Sequence, residues 1–219
     1  TYTPASATAF NTTTYTGNNS STVQTFTTGV NLVQGGMIWF KNRDWGQAGR
    51  IIDTYRGTNV TLLPHSTAAN NGLGANGLTL LNDGFSIGWE GGDIAGNADY
   101  VAWSFSKKPG FFDIQSWTGT GSVQNISHNL GSKPGFIIIK RYSATEDWTC
   151  YHQDLPNGAN SWIQLNSTGG YSAGGWFMNN TEQTSSQFTI GTHDRVNTNG
   201  HSYIAYIFAD NPSGGIKCG

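Results

Sequence analysis

The sequence contains two near copies of one aromatic and aliphatic string, YVAWSF at residues 100–105 and YIAYIF at residues 203–208. Other matched strings keep the same order at a spacing of about 100 residues, namely GMIWFK with GFIIIK, FSIG with FTIG, and one Asp-Trp pair with another. Solenoid repeats are about 20 to 50 residues long, whereas a unit of about 100 residues has room for its own core. The repeat therefore predicts an internal duplication that gives two tandem domains, residues 1–112 and 113–219.

The composition and the short apolar runs both favour β-structure. Only 11% of the residues are charged, and 30 glycines accompany many Ser, Thr and Asn residues, whereas residues that build helix surfaces are scarce. Short runs rich in β-branched and aromatic residues lie between turn-forming residues; they are MIWFK, RIIDTY, LTLL, FSIGW and YVAWSF. We expect an all-β chain of two tandem antiparallel β-sandwich domains, of the jelly-roll or lectin-like type.

The apolar patterns also predict how deeply individual strands are buried. FIIIK, residues 136–140, and YIAYIF do not alternate apolar with polar residues, so we expect both faces of these strands to be covered. RIIDTY, residues 50–55, alternates better, and we expect it to form a half-exposed strand.

Charge and hydropathy exclude two classes of partner. A formal net charge of -2 and a pI near 6.1 provide no basic field for binding a nucleic acid. The longest apolar run, Tyr203–Ala209, is far shorter than the roughly 20 residues of a membrane-spanning helix, so we expect a soluble protein without membrane insertion. The two cysteines, Cys150 and Cys218, have no framework spacing, and the sequence leaves open whether they pair.

Motifs of catalytic and nucleotide-binding sites are matched by their letters but not by their context. Gly72–Gly77 fits a dinucleotide-binding pattern, yet a strand follows it where that motif requires a helix. Gly84–Gly88 fits a nucleophile elbow, but Thr189 stands in place of its serine in the second copy.

Glycosidases hold two carboxyls about 5 to 10 Å apart. The three glutamates form no close pair in sequence; they are Glu90, Glu146 and Glu182. We expect no catalytic residue, no enzymatic activity and no cofactor.

Oxygen-rich and histidine-containing loops are candidates for metal ligands. One loop in each copy has oxygen ligands that Ca²⁺ accepts, but the two sets do not align; they are Asp93, Asn97 and Asp99, and Asp194, Asn197 and Asn199. The histidines lack the spacing of zinc sites; they are His65, His128, His152, His193 and His201. We interpret these residues as turn and loop residues and predict no metal site.

The repeated Asp-Trp pair is the candidate binding motif of this chain. Asp44-Trp45 and Asp147-Trp148 each follow a predicted core strand. An exposed indole offers a flat apolar face to the C–H groups of a saccharide, and a neighbouring carboxylate accepts hydrogen bonds from its hydroxyls. The alternative interpretation is structural, with each indole covering the edge of its own sandwich and each aspartate capping a turn.

Three strings in the middle of the chain carry a resemblance to a known family. YVAWSFSKKPGFFD, WTGTGS and HNLGSKPGFIIIKR, in this order, resemble a repeated domain of unknown function in tail-fibre-like and virion structural proteins of marine bacteriophages of the cyanophage type. The resemblance implies a phage structural protein, either a tail-fibre segment or a capsid-surface appendage, on the virion exterior. It also implies a homo-oligomer, possible contact with the host surface, and a native chain with further repeats.

The residues themselves leave a second function open. This is a lectin-like carbohydrate-binding module without catalytic activity, secreted or carried by a virion, in which Asp44, Trp45, Asp147 and Trp148 contact a host-surface glycan. A third hypothesis, a polysaccharide hydrolase, requires the clustered pair of acids that the sequence does not show.

Overall fold

The computed structural model describes residues 8–73, 77–88 and 92–219, and nearly all of their regular structure is β-strand. Every strand pairing in these ranges is antiparallel. The all-β antiparallel fold class is therefore confirmed. Within the described ranges, no helix has the length and apolar character needed to cross a bilayer.

The described residues form two compact units. The amino-terminal unit comprises residues 8–64 and 70–107, and the carboxy-terminal unit comprises residues 65–69 and 108–219. Glu90 and the centre of the glycine-rich stretch, residues 74–76, lie outside the described residues, as does the side chain of Asp93. The domain boundaries at residues 112 and 113 stay a prediction of the sequence.

The amino-terminal unit contains two antiparallel sheets that enclose an aromatic core. Its elements are β1 (Phe10–Thr16), β2 (Gln24–Thr27), β3 (Gly36–Asn42), β4 (Arg50–Asp53), β5 (Gly57–Leu62), β6 (Asn71–Gly72), β7 (Leu78–Leu81), β8 (Gly84–Ile87), α1 (Gly92–Ala95) and β9 (Asp99–Ser106). The larger sheet has the order β1-β9-β3-β4-β5-β6, and the smaller has the order β2-β8-β7. Phe85 of the smaller sheet contacts Tyr15 and Phe40 of the larger one, which is the packing of a sandwich.

The carboxy-terminal unit has the same strand order in its larger sheet. Its elements are β10 (Phe112–Thr118), β11 (Gln124–Ser127), β12 (Pro134–Arg141), β13 (Thr149–His152), β14 (Ser161–Gln164), β15 (Ser172–Ala173), β16 (Gln187–Ile190), α2 (Asp194–Asn197) and β17 (Ser202–Ala209), with short 3-10 helices at Gly158–Asn160 and Pro212–Gly214. The larger sheet is ordered β10-β17-β12-β13-β14-β15, and β11 pairs with β16 in the smaller one. The duplication itself stays an interpretation of the sequence.

The burial of the aliphatic strands follows the sequence pattern in two cases and departs from it in a third. Most residues of β12 and β17 are buried on both faces, as expected for FIIIK and YIAYIF. The expectation that RIIDTY is half exposed is wrong for β4, because all four of its residues are buried. Its charged residues are satisfied internally: Arg50 donates to the hydroxyl of Thr61, and Asp53 accepts from Arg56 at 2.6 Å.

The two cysteines are not bonded to each other. Cys150 is buried in β13 and Cys218 is half-buried near the end of the chain, and both are free thiols. The structure thus answers the question of pairing that the sequence left open.

Candidate functional site

The Asp44-Trp45 pair lies in a tight turn after β3. The side-chain oxygen of Asn42 accepts from the backbone amides of Asp44 and Trp45 at 2.9 and 2.8 Å, which fixes the turn. A carboxylate oxygen of Asp44 accepts from the amide of Asp99 at 2.7 Å. The indole of Trp45 is 54% exposed. The indole is therefore accessible, while the carboxylate has a structural role.

A shallow depression lies next to this turn. Its volume is about 220 Å³, and the described residues that line it include Thr16, Arg43 and Asp99 but not Trp45. The accessible indole and the polar depression are thus not combined in one groove. Ligand contact by Asp44 and Trp45 stays a prediction.

The Asp147-Trp148 pair has the opposite environment. Trp148 is 0% exposed and stacks on Tyr206, with ring centroids 6.5 Å apart. The carboxylate of Asp147 accepts from Asn166 at 2.9 Å and pairs with Arg195 at 3.1 Å. The expectation of an exposed indole in each copy is therefore corrected for Trp148, because a buried ring offers no face to a saccharide. In this copy the structure agrees with the structural alternative.

A different tryptophan of the carboxy-terminal unit lines a groove. Trp176 is 47% exposed, and with Thr192, His193 and Asp194 it borders an open groove of about 380 Å³. Trp176 belongs to the loop between β15 and β16, whereas the other three residues lie at the end of β16 and the start of α2. Two loops of the carboxy-terminal unit thus meet around one half-exposed indole.

Aromatic neighbours support the ring of Trp176. The imidazole of His193 is stacked against it, with ring centroids 5.7 Å apart and planes 15° apart. The buried indole of Trp162 in β14 meets it edge to face at 5.6 Å. Trp162 also lies 5.7 Å from His193, so the three rings contact one another. An indole packed in this way has a restricted orientation although half of its surface is exposed.

The backbone brings the two loops of the groove together. The amide of Gly191 donates to the carbonyl of Phe177 at 2.7 Å, and the amide of His193 donates to the carbonyl of Trp176 at 3.1 Å. A Cβ atom built on Gly191 would overlap the carbonyl oxygen of Trp176. Any side chain at position 191 would therefore push Trp176 away from His193.

The hydrogen bonds of His193 define its protonation. Its Nδ1 accepts from the backbone amide of Arg195 at 3.1 Å, so we infer that the neutral ring carries its hydrogen on Nε2. Burial lowers the pKa of His193, and the charge of Arg195 lowers it further, whereas Asp194 and Glu146 act in the opposite direction. The groove thus contains a neutral imidazole with one N–H donor.

Charged residues next to the groove form a network of ion pairs that does not include the carboxylate of Asp194. Arg195 pairs with Glu146 at 3.7 Å and with Asp147 at 3.1 Å, and Arg141 pairs with Glu146 at 3.0 Å. The carboxylate of Asp194, which is exposed at the groove, makes no ion pair and accepts no hydrogen bond within the described ranges. Asp194 is therefore available to a ligand, whereas Glu146 and Asp147 are engaged.

The other candidate residues have structural environments. Asn197 is buried, and its side chain accepts from the amide of Thr120 at 2.9 Å and donates to the carbonyl of Gly191 at 2.7 Å. Ser86 lies within β8, paired with Thr25, so the elbow-like stretch is a strand. Among residues 8–73, 77–88 and 92–219, no group of three His, Cys, Asp or Glu side chains is arranged to hold a metal ion.

Sequence reasoning did not single out Trp176 or Trp162. Matching backbone bonds, from Leu73 to Asn59 and from Gly174 to Asn160, place Trp176 two residues beyond the counterpart of Leu73. An exposed tryptophan that lies outside the strings matched between the two halves is the signal that could have indicated the groove. The strings matched between the two halves favour the Asp-Trp pair instead.

The fold and the groove define a class: an all-β, sandwich-like protein with an exposed aromatic platform bordered by polar side chains. The family model of a domain of unknown function (DUF7483) matches residues 5–215. The chain therefore belongs to this family. No curated protein and no solved structure matches the chain.

Proposed function

We propose that the protein is a non-catalytic saccharide-binding module and that the groove around Trp176 is its binding site. The observation that carries the proposal is the half-exposed indole of Trp176, supported by His193 and Trp162 in a groove with polar sides. This is the lectin-like function that the sequence left open, located at residues that the sequence did not indicate.

The chemistry of the groove suits a sugar ring. A pyranose has faces of C–H groups and a rim of hydroxyls, and an indole face covers such C–H groups while polar side chains meet the rim. The lining supplies a hydroxyl from Thr192, an N–H donor from His193 and a carboxylate acceptor from Asp194. Because the packing of Trp176 already restricts its ring, binding costs little additional side-chain entropy.

The carboxylates near the groove favour binding over hydrolysis. A glycosidase requires two carboxyls that face the scissile bond, one of them protonated. Glu146 and Asp147 are engaged in ion pairs, Glu146 with Arg141 and Arg195 and Asp147 with Arg195. Asp194 alone faces the groove without such a partner.

The test is a glycan-binding measurement on the full chain with matched tryptophan variants. In a screen on a glycan array followed by calorimetry on the hits, Trp176→Ala should weaken binding about tenfold or more, as expected for an aromatic anchor. Trp45→Ala removes an equally exposed indole from the other unit and should bind like the unaltered protein. Both variants should keep the melting temperature within about 3 °C.

The alternative outcomes have distinct meanings. Loss of binding in Trp45→Ala but not in Trp176→Ala would transfer the site to the Asp44-Trp45 turn. Absence of binding to every glycan, or equal binding by both variants and the unaltered protein, would contradict a saccharide site at either indole.

We further propose, on the resemblance to phage tail-fibre-like proteins, that the module is part of a homo-oligomeric structural protein on a virion exterior. A saccharide site at a particle surface would provide contact with the host. Peptide mass spectrometry of purified particles tests this setting independently of the glycan screen. Absence of peptides from this chain would contradict the virion setting and leave the saccharide site unaffected.

A further inference from the structure

The only formal charge among the described residues that line the groove is negative. The four described residues that line it include one acid, Asp194, and neither a lysine nor an arginine. The nearest cation in sequence, Arg195, is paired with Glu146 and Asp147. An anionic group placed in the groove would therefore meet the exposed carboxylate of Asp194 without a compensating charge.

The hydrogen-bonding groups of the groove suit hydroxyls. The carboxylate of Asp194 has two acceptor oxygens without partners in the described part of the chain, and hydrogen bonds to an ionised acceptor are the stronger ones. His193 adds a donor on Nε2, because its Nδ1 is occupied by the amide of Arg195. Two neighbouring hydroxyls on a sugar can donate to Asp194 while one of their oxygens accepts from His193.

We propose that the Trp176 groove selects uncharged saccharides with adjacent hydroxyls and rejects those that carry carboxylate or sulfate groups, through the unpaired carboxylate of Asp194. This inference rests on the proposed function and specifies the ligand class of the same site. The stacking surface of Trp176 supplies affinity for the ring, and Asp194 supplies the selection by charge.

The test uses pairs of glycans that share one sugar skeleton and differ by an anionic group. Sialyllactose is paired with its neutral methyl ester, lactose sulfate with lactose, and sulfated galactan oligosaccharides with their neutral forms. The neutral member of the pairs that bind should bind at least about tenfold more tightly than its anionic partner at low ionic strength. Salt at about 1 M should reduce this preference, since the carboxylate of Asp194 is exposed to solvent.

Asp194→Asn keeps the shape of the side chain and removes its charge. This variant should lose about tenfold of the preference for neutral glycans and should bind them a few times more weakly, because a charged acceptor becomes a neutral one. Asp83→Asn makes the same change of net charge at an exposed turn of the amino-terminal unit and should keep the preference.

The failures of the two proposals are distinguishable. Tighter binding of the anionic members, or the same loss of preference in Asp83→Asn, would overturn the selection by Asp194 while the saccharide site at Trp176 stands. Absence of binding by any neutral or anionic glycan would overturn both.

Discussion

The indole of Trp117 in β10 stacks on the phenol ring of Tyr203 in β17, with centroids 5.5 Å apart and planes 11° apart. Tyr15 and Tyr100 form the same contact in the amino-terminal unit, at 5.2 Å and 14°. Both pairs are directly opposite each other across their strand pairs. In each larger sheet, the strands that come first and last in the chain are neighbours, β1 with β9 and β10 with β17. One ring pair on the core side joins them in each unit.

Tyr15 and Trp117 also form hydrogen bonds to the backbone that precedes β9 and β17, respectively. The hydroxyl of Tyr15 donates to the carbonyl of Ile94 at 2.6 Å, and the indole N–H of Trp117 donates to the carbonyl of Val196 at 3.0 Å. Tyr15→Phe should lower the free energy of unfolding of the amino-terminal unit by about 1 to 2 kcal/mol, because the buried bond is lost. Urea-induced unfolding measures the change.

The control for this prediction is Tyr171→Phe, which removes a hydroxyl from a ring that is half exposed. It should change the stability by less than about 0.5 kcal/mol. Equal effects of the two substitutions would show that the bond of Tyr15 contributes nothing beyond solvation.

Asn197 should be among the most sensitive polar positions of the carboxy-terminal unit. Its amide joins Thr120, Ser122, Gln124 and Gly191 through four hydrogen bonds in a fully buried position. Asn197→Ala removes all four bonds, of which the one to the carbonyl of Gly191 is buried and the other three are part-buried, and should cost about 2 to 3 kcal/mol. Thermal and urea unfolding should show this loss, whereas Asn199→Ala, at an exposed turn, should be nearly neutral.

Acid should lower the stability of the carboxy-terminal unit through protonation of His193. The pKa of His193 in the folded protein is lowered by burial and by Arg195, against the opposing charges of Asp194 and Glu146. The unfolded state therefore binds the proton first, so the contribution of neutral His193 is fully present above pH 6.5 and falls as the pH decreases below it. Stability measured from pH 8 to pH 4 should decrease less steeply in His193→Gln.

His128 provides the internal comparison, since burial also lowers its pKa and it contributes in the same direction. The quantity that tests His193 is thus the difference between the unaltered protein and His193→Gln at each pH. Parallel curves for the two proteins would contradict the assignment of a neutral His193.

The half-buried ion network of Arg141, Glu146 and Arg195 should contribute more to the free energy of unfolding than an exposed ion pair does. Glu146 binds both Arg141 and Arg195, and Glu146→Gln leaves two half-buried guanidinium groups with less compensation. We expect a loss of about 1 to 2 kcal/mol that shrinks in high salt. Lys133→Met, which breaks an exposed pair with Glu182, should cost less than about 1 kcal/mol in the same unfolding experiment.

The two thiols should react slowly in the native protein. Burial raises the pKa of Cys150 to about 12 and that of Cys218 to about 11, so the thiolate forms are scarce at neutral pH. Titration with a thiol reagent should modify Cys218 first, because it is half-buried, and both residues after denaturation. A single unreactive pair under denaturing, non-reducing conditions would instead indicate a disulfide.

The strongest strands could be predicted because their residues carry the signal locally. The aliphatic and aromatic runs of β3, β9, β12 and β17 all form strands. The Thr- and Asn-rich strand β1 was not recognised, because its sequence FNTTTYT has little apolar content and it is held by pairing with β9. The burial of β4 could not be predicted either, because it depends on Thr61 and Arg56 as partners for its charged residues.

The candidate site was harder to predict, because exposure is decided by distant residues. Identical Asp-Trp dipeptides give an exposed indole at position 45 and a fully buried one at position 148, where Tyr206 lies against the ring. The groove is assembled from Trp176 and residues 192–194, which no local motif connects. Matched strings indicate what the two halves of the sequence share, whereas this site lies in the carboxy-terminal unit alone.

The amides of Gly191 and His193, which donate to the carbonyls of Phe177 and Trp176, fix the groove through the main chain. The outward-facing side chains of Thr192 and Asp194 take no part in these bonds, and both are exposed. They can therefore be exchanged at little cost in stability while the platform of Trp176 keeps its position. If the groove binds a saccharide as proposed, a change of ligand can be followed by substitutions at these two positions, with the sandwich acting as an unchanged frame for evolving specificity.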